Sequence, residues 1–259
     1  MPMENILVCI KAVPAAAQGG AAEQTLQRDK CSLQWNIADE AALEAALQLK
    51  GSAGTVTVLT MGPSKLAEPL RELLGRGVDQ AVLLTDPSLS GADTYATTKA
   101  LSAAIRSLGS FVLILCGRRA VDGETGQVPP MLAAALELPC ITNAEQLAEA
   151  DGKLTLRRRL EDRSVTLRVS APAIVSVCEY AYSLRLPSIS AMRRAREKQV
   201  RQLTAAGLGL SPESCGLKGS LTRVVHTDKK FPGLRSCKRE EDIAAGVRQL
   251  LELCREVDQ

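Results

Sequence analysis

Short apolar runs alternate with helically periodic stretches through the first half of the chain. Residues Asn5 to Ala12 form a mostly apolar run that ends at Val13-Pro14, the pattern of a strand buried in a parallel sheet. Residues 15–35 show no clear period and contain Gly19-Gly20, so they predict a long loop with room for one short hairpin. From Asp39 to Lys50 the residues Ala41, Ala42, Leu43, Ala45, Ala46, Leu47 and Leu49 predict a helix, with Asn36 or Asp39 as its N-cap. A strand over Thr55–Thr60 follows, then a helix over Pro63–Gly75 with proline in its first turn. Ala81–Thr85 reads as a strand, Thr94–Leu108 as a helix and Phe111–Cys116 as a further apolar strand. This alternation predicts a parallel sheet covered on both faces, with right-handed crossovers.

After Gly126 the rhythm changes. Val128 to Leu138 reads as a helix broken at Pro139. Leu154, Leu156 and Leu160, then Val165, Leu167 and Val169, alternate with polar residues around Glu161-Asp162-Arg163, which predicts a half-exposed hairpin. Ala173–Val177 returns to a buried strand. Residues 204–238 are rich in Gly, Ser, Pro and Lys with no periodic stretch, and read as an extended arm. Glu240–Val257 closes as a helix with Ile243, Val247, Leu250, Leu251 and Cys254 on one face. The expected architecture is an α/β domain over 1–203, interrupted by a β-hairpin insertion, and a C-terminal arm and helix over 204–259.

Composition narrows the function classes. At 259 residues the chain can bury a large core without disulfides or metals. Aromatics make 2%, which argues against an all-β sandwich and against base-stacking platforms. Lys and Arg number 32 against 29 Asp and Glu, a net +3, too balanced for a dedicated nucleic-acid binder. No apolar run approaches the ~18 residues of a membrane span, and Met1–Val13 lacks the h-region of a signal peptide. The eight cysteines contain no CxxC pair, which argues against a zinc site or redox motif. Cys9, Cys116 and Cys178 sit in apolar, strand-like runs as small hydrophobes. Reduced thiols and the absence of a leader point to the cytoplasm.

In an open parallel sheet, ligands sit beyond the carboxyl ends of the strands. Three loops end there: Ile10–Pro14, Thr60–Pro63 and Gly117–Pro130. In the last, Asp122-Gly123-Glu124-Thr125-Gly126-Gln127 lies between an apolar strand and a helix. Its glycines permit a tight turn and close backbone approach, and the following helix aims its N-terminus at the same place. The segment reads either as an anion site or as a capping turn with polar surface residues. It is neither a Walker A pattern nor GxGxxG.

Four stretches resemble the electron-transfer flavoprotein beta subunits: ILVCIKAVP at 6–14, NIADEAALEAALQLK at 36–50, GRRAVDGETGQVPPMLAAAL at 117–136 and LRLPSISAMRRAREK at 184–198. The resemblance implies a three-layer, adenine-nucleotide-alpha-hydrolase-like nucleotide-binding fold. It implies AMP or FAD in this subunit, and pairing with an alpha subunit that carries the redox-active FAD. It also implies docking to an acyl-CoA dehydrogenase or related flavin dehydrogenase. Such a subunit is an electron carrier with no catalytic residue or metal of its own. In the bifurcating variant, a beta-subunit FAD takes electrons from NADH.

Matching positions place Cys9 beside the nucleotide and Asn36, Ile37, Ala38 and Asp39 at the adenine or ribose. Met61 would flank the base. Asp122, Gly123, Glu124, Thr125, Gly126, Gln127, Val128, Pro129, Pro130, Met131, Leu132 and Ala133 would wrap the phosphate. The segment 184–198 matches the family's docking loop, with Ile189 as apolar anchor, Ala191 and Met192 beside it, and Arg185 and Arg194 as partner contacts.

The chain departs from the family pattern in three places. Ala15 stands where the family usually has Asp, and Leu184 and Leu186 flank Arg185 where it has Pro-Arg-Tyr. Arg159 replaces a carboxylate that helps hold the mobile flavin domain in relatives. Between Arg193 and Arg201 five basic residues stand against Glu197, which also suits a plain solvated helix face. His226 has no Ser or carboxylate neighbour in sequence and reads as a surface or interface residue. Two other classes share this broad fold. An ATP pyrophosphatase would need Ser-Gly-Gly-x-Asp-Ser where Lys11-Ala12-Val13-Pro14 stands, and an ATP-binding stress domain would need a Gly-rich signature that is missing.

Overall fold

The computed structural model describes residues 3–15, 32–150, 153–226 and 241–257. Residues 16–31 of the expected long loop and 227–238 of the expected arm lie outside the described residues. The chain divides into two compact units between Val225 and His226.

The first unit is a three-layer α/β/α arrangement around one sheet. Strand β1 (Met3–Cys9) lies between β4 (Lys50–Met61) and β6 (Leu113–Gly117), all parallel. Beyond β4 come β5 (Gln80–Leu84) and β11 (Arg201–Leu203). Beyond β6 come β10 (Ala173–Val177) and β7 (Cys140–Ala150), again parallel. An antiparallel hairpin, β8 (Lys153–Arg159) and β9 (Ser164–Val169), extends the β7 edge. A separate antiparallel pair joins β2 (Ala12–Pro14) to β3 (Leu33–Trp35); β2 lies ahead of the 15–35 stretch in which a short hairpin was expected.

Alternation along each strand divides the core in two. Ile6, Val8, Val56, Val58, Leu113, Leu115 and Val175 pack under helices α1 (Ile37–Leu49) and α2 (Ala67–Leu74). Leu7, Cys9, Leu59, Ile114, Cys116 and Ile174 pack under α3 (Thr94–Leu108) and α4 (Val128–Leu136). Strands this apolar can lie only where helices cover both faces.

Four sequence expectations are corrected. The strand β7 was not expected, because five of its eleven residues are polar and fall without a clean alternation. It pairs β10 on one side and β8 on the other, with a left-handed residue at Asn143 (φ 62°). Helix α4 ends at Leu136, earlier than Leu138, because Glu137 takes a left-handed C-cap at φ 58°. Cys178 lies just past β10 and is half-buried.

Residues 204–225, expected as part of the extended arm, belong to the first unit. They form helical turns at Ala206–Leu208 and Pro212–Ser214 and a short helix, α6 (Gly216–Gly219). Ala205 and Cys215 are buried against the α3 side of the sheet. Two carboxylates tie the segment to the sheet side, together with this apolar burial and the bond from Leu217 N to Ser90 O at 2.9 Å. Asp86 accepts from the Ala205 N–H at 3.1 Å, and Asp93 accepts from Thr222 N and Oγ1, both at 2.9 Å. The second unit contains α7 (Ile243–Val257), whose Ile243, Val247, Leu250 and Leu251 are exposed. Among the described residues no helix is long and apolar enough to cross a membrane.

Candidate functional site

The chain leaves β1 toward β4 and β5 on one side, then returns to place β6 on the other. The order therefore reverses between β1 and β6. The crevice beyond their carboxyl ends is where doubly wound sheets bind ligands.

A buried carboxylate shapes this crevice. Asp39, in the first turn of α1, accepts from Lys11 N at 2.9 Å and from Gly117 N at 2.8 Å. One side chain thus ties the ends of β1 and β6 together. Burial pushes its carboxyl up to about 7, against the opposing pull of the two backbone N–H groups, Asn36 and the Lys11 charge. Asn36, wholly buried, plays a parallel part. Its Nδ2 donates to Arg119 O at 2.9 Å, and its Oδ1 accepts from Val121 N at 3.2 Å. It is the N-cap of α1 by position, but its side chain makes no cap bond and instead anchors the loop after β6.

Gly117 permits this approach. A Cβ there would lie 2.7 Å from Asp39 N and 2.8 Å from Ala38 C, closer than real side chains come. Downstream, Glu124 and Gly126 both adopt left-handed backbone, φ 52° and 61°. Gly123, Glu124 and Thr125 stand exposed, with open space around Gly123. Thr94 donates through Oγ1 to Gln127 Oε1 at 2.9 Å, which joins the loop to the start of α3. Val128 and Pro129 then open α4, whose N-terminal dipole faces the loop.

Charged groups line the rim. Lys11 Nζ lies 2.6 Å from Asp122 Oδ1. Arg118 grips Glu179 with two bonds of 3.0 Å, and Arg119 adds one of 3.2 Å. Burial raises the Glu179 carboxyl; bonds from Arg118, from its own backbone N–H and from Arg119 more than offset this and hold it below its ordinary value. Lys11, Arg118, Arg119 and Glu179 were not singled out as site residues from the sequence. The signal available was Gly-Arg-Arg directly after an apolar strand, but their carboxylate partners are distant in sequence.

The structure brings Asn36, Asp39 and the 122–128 loop to one place. Cys9 and Met61 end β1 and β4 on the same sheet edge. Cys9 pairs in register with Cys116 across β1 and β6, and both thiols are buried. Ala38, Pro129, Leu132 and Ala133 are buried, so their side chains serve the core and leave backbone for any ligand. Ile37 and Met131 are partly exposed, and Pro130 is exposed.

The second set of residues lies elsewhere. Arg185 turns back onto α1, where it meets Glu44 through Nε at 3.0 Å and Nη2 at 2.8 Å, with a further bond from its backbone N–H. Ser188 caps helix α5 (Ile189–Glu197) by accepting from Ala191 N at 3.2 Å. Ile189, Met192 and Arg194 are exposed, and Ala191 is partly so.

These features define a doubly wound protein with an anion-compatible crevice at its strand-order reversal. A family model described as "Electron transfer flavoprotein domain" matches residues 25–208. An electron transfer flavoprotein subunit beta from Thermoanaerobacterium thermosaccharolyticum is 40% identical over 227 residues, covering 86% of this chain and 87% of the relative. A Caffeyl-CoA reductase-Etf complex subunit, CarD, from Acetobacterium woodii is 37% identical, covering 85% and 86%. A beta subunit from Megasphaera elsdenii is 35% identical, covering 92% and 93%. The chain belongs to the electron-transfer flavoprotein family, among its beta subunits, whose role is electron transfer.

Proposed function

We propose that this chain is the beta subunit of a heterodimeric electron carrier, that it holds an adenine nucleotide in the β1–β6 crevice, and that it presents residues 184–198 to a flavin dehydrogenase. The observation that carries the reading is the crevice itself: a glycine loop with left-handed backbone, exposed at the strand-order reversal and set before a helix N-terminus. This donor set fits a phosphate, since backbone N–H groups and a dipole end favour an anion there. AMP and the adenosine-phosphate half of FAD share that chemistry. The redox work belongs to the FAD of the alpha subunit, which stores and passes electrons when bound. This chain's residues hold the nucleotide, keep the loops in register and offer a docking face. In this reading α7 lies on the partner subunit and buries its apolar stripe there. The relative named as part of a caffeyl-CoA reductase complex supports a partner acting on acyl-CoA thioesters.

Co-purification with the alpha subunit, followed by nucleotide extraction and flavin counting, tests the site. One adenine nucleotide per chain is expected: one flavin per heterodimer means AMP here, two mean FAD. Gly126→Val should lower nucleotide content in a protein that still folds cooperatively, because a β-branched residue resists φ 61° and forces the exposed loop onto another backbone path. Unchanged content in that variant would sink the assignment.

A further inference from the structure

We infer that Lys11 is the side chain that recognises a ligand phosphate, and that Asp122 is its resident counter-ion, displaced when the phosphate arrives. The inference rests on the nucleotide reading of the crevice. Lys11 follows β1 and Asp122 lies in the loop after β6, so their 2.6 Å pair bridges the carboxyl-end loops of two neighbouring strands. The pair is asymmetric. The Asp122 side chain is 6% exposed and that of Lys11 36%. The carboxylate is set in the loop while the ammonium reaches to it from the open side.

The backbone of Lys11 is pinned on both sides. Its N–H donates to Asp39, and its carbonyl accepts from Asn36 N at 2.9 Å. Its side chain retains a flexible four-carbon stem with a compact charge. Arg118 and Arg119, by contrast, are engaged by Glu179, and their planar forks are set toward that carboxylate. A phosphate entering between the exposed Gly123–Thr125 backbone and the α4 N-terminus meets Lys11 as a cation that can swing. It also meets Asp122 as a like charge. A dianion repels that carboxylate and attracts the ammonium, so exchange of one anion for another keeps the lysine paired throughout. Asp122 therefore stabilises the ligand-free crevice and opposes the filled one, in place of the phosphate-wrapping part that the family resemblance implies for it.

The test uses the full chain co-purified with its alpha subunit and stripped of nucleotide, titrated calorimetrically with AMP and with adenosine. The wild-type protein should prefer AMP. Lys11→Met should reduce that preference by roughly tenfold or more, with adenosine affinity kept, because a charge-assisted contact to phosphate is lost. Lys11→Arg should retain most of the preference. Asp122→Asn should bind AMP a few-fold more tightly, with adenosine unchanged, and it keeps the test decisive if Lys11→Met folds poorly. An unaltered AMP preference in Lys11→Met, or weaker AMP binding in Asp122→Asn, overturns the assignment of these two residues. A wild-type protein that binds neither compound, and does not take up FAD either, overturns the nucleotide reading itself.

Discussion

Asp39 is a carboxylate whose two oxygens each hold the end of a different strand. Its folded pKa, about 7, lies above the ordinary 3.8 because burial disfavours the charge. The folded state thus binds this proton more tightly than the unfolded chain does. The stability it contributes is fully present below about pH 4 and is lost as pH rises toward 7. Asp39→Asn can serve the Lys11 N–H or the Gly117 N–H but not both. It should cost about 1–3 kcal/mol, since a buried donor is left without a partner. The cost should be largest near pH 4 and shrink toward pH 7. Melting curves of both proteins across that range check it, and a pH-independent difference would mean that Asp39 stays ionised throughout.

At the scale of elements, the legible parts were those with a strong period. Helix α3 spans Thr94–Leu108 as its pattern predicts, because apolar spacing and the Asp93 cap agree. Strands β1, β6 and β10 were legible as apolar runs, and the 122–127 loop as glycine chemistry between a strand and a helix. What stayed hidden depends on contacts distant in sequence. Strand β7 has a weak polar alternation and a register break. The Lys11–Asp122, Arg118–Glu179 and Glu44–Arg185 pairs each join residues far apart in the chain. The packing of 204–225 was hidden for the same reason, since no period records Asp86 or Asp93 reaching across. Asp93 caps α3 through Ala96 N at 2.9 Å while it holds Thr222. Burial raises its carboxyl, and bonds from Ala96, Thr222 and Leu221 more than offset this, leaving it below the ordinary value. The stability it adds is present above about pH 4 and is lost as pH falls through the folded pKa. Asp93→Ala should cost about 0.5–2 kcal/mol through the cap. It should also speed hydrogen exchange at Leu217–Thr222 more than in the sheet, and uniform exchange across both would mean that the segment is held by other contacts.

For the molecule as a whole, the separation of the two surfaces decides how a docking variant must behave. The crevice lies beyond the carboxyl ends of β1 and β6, whereas Ile189 opens α5, a helix packed beside α2 on one face of the sheet. The segment before it is held firmly: Glu44 grips Arg185, and Arg76 Nη1 donates to the Arg185 carbonyl at 2.8 Å. Those bonds fix the backbone while leaving Leu186 and Ile189 exposed, at 86% and 75%. An isoleucine so exposed contributes little to the core, so its truncation should not reproduce the roughly 2–5 kcal/mol loss of a buried aliphatic. If it fills a socket on a dehydrogenase, truncation should instead cost about 2 kcal/mol of association, a factor of about 30. Ile189→Ala should therefore leave the melting temperature, nucleotide content and heterodimer intact while slowing dehydrogenase-dependent reduction of the carrier at limiting concentration. An unchanged rate, with the fold and nucleotide content also unchanged, would remove Ile189 from the docking face and return the 184–198 segment to the status of a solvated helix.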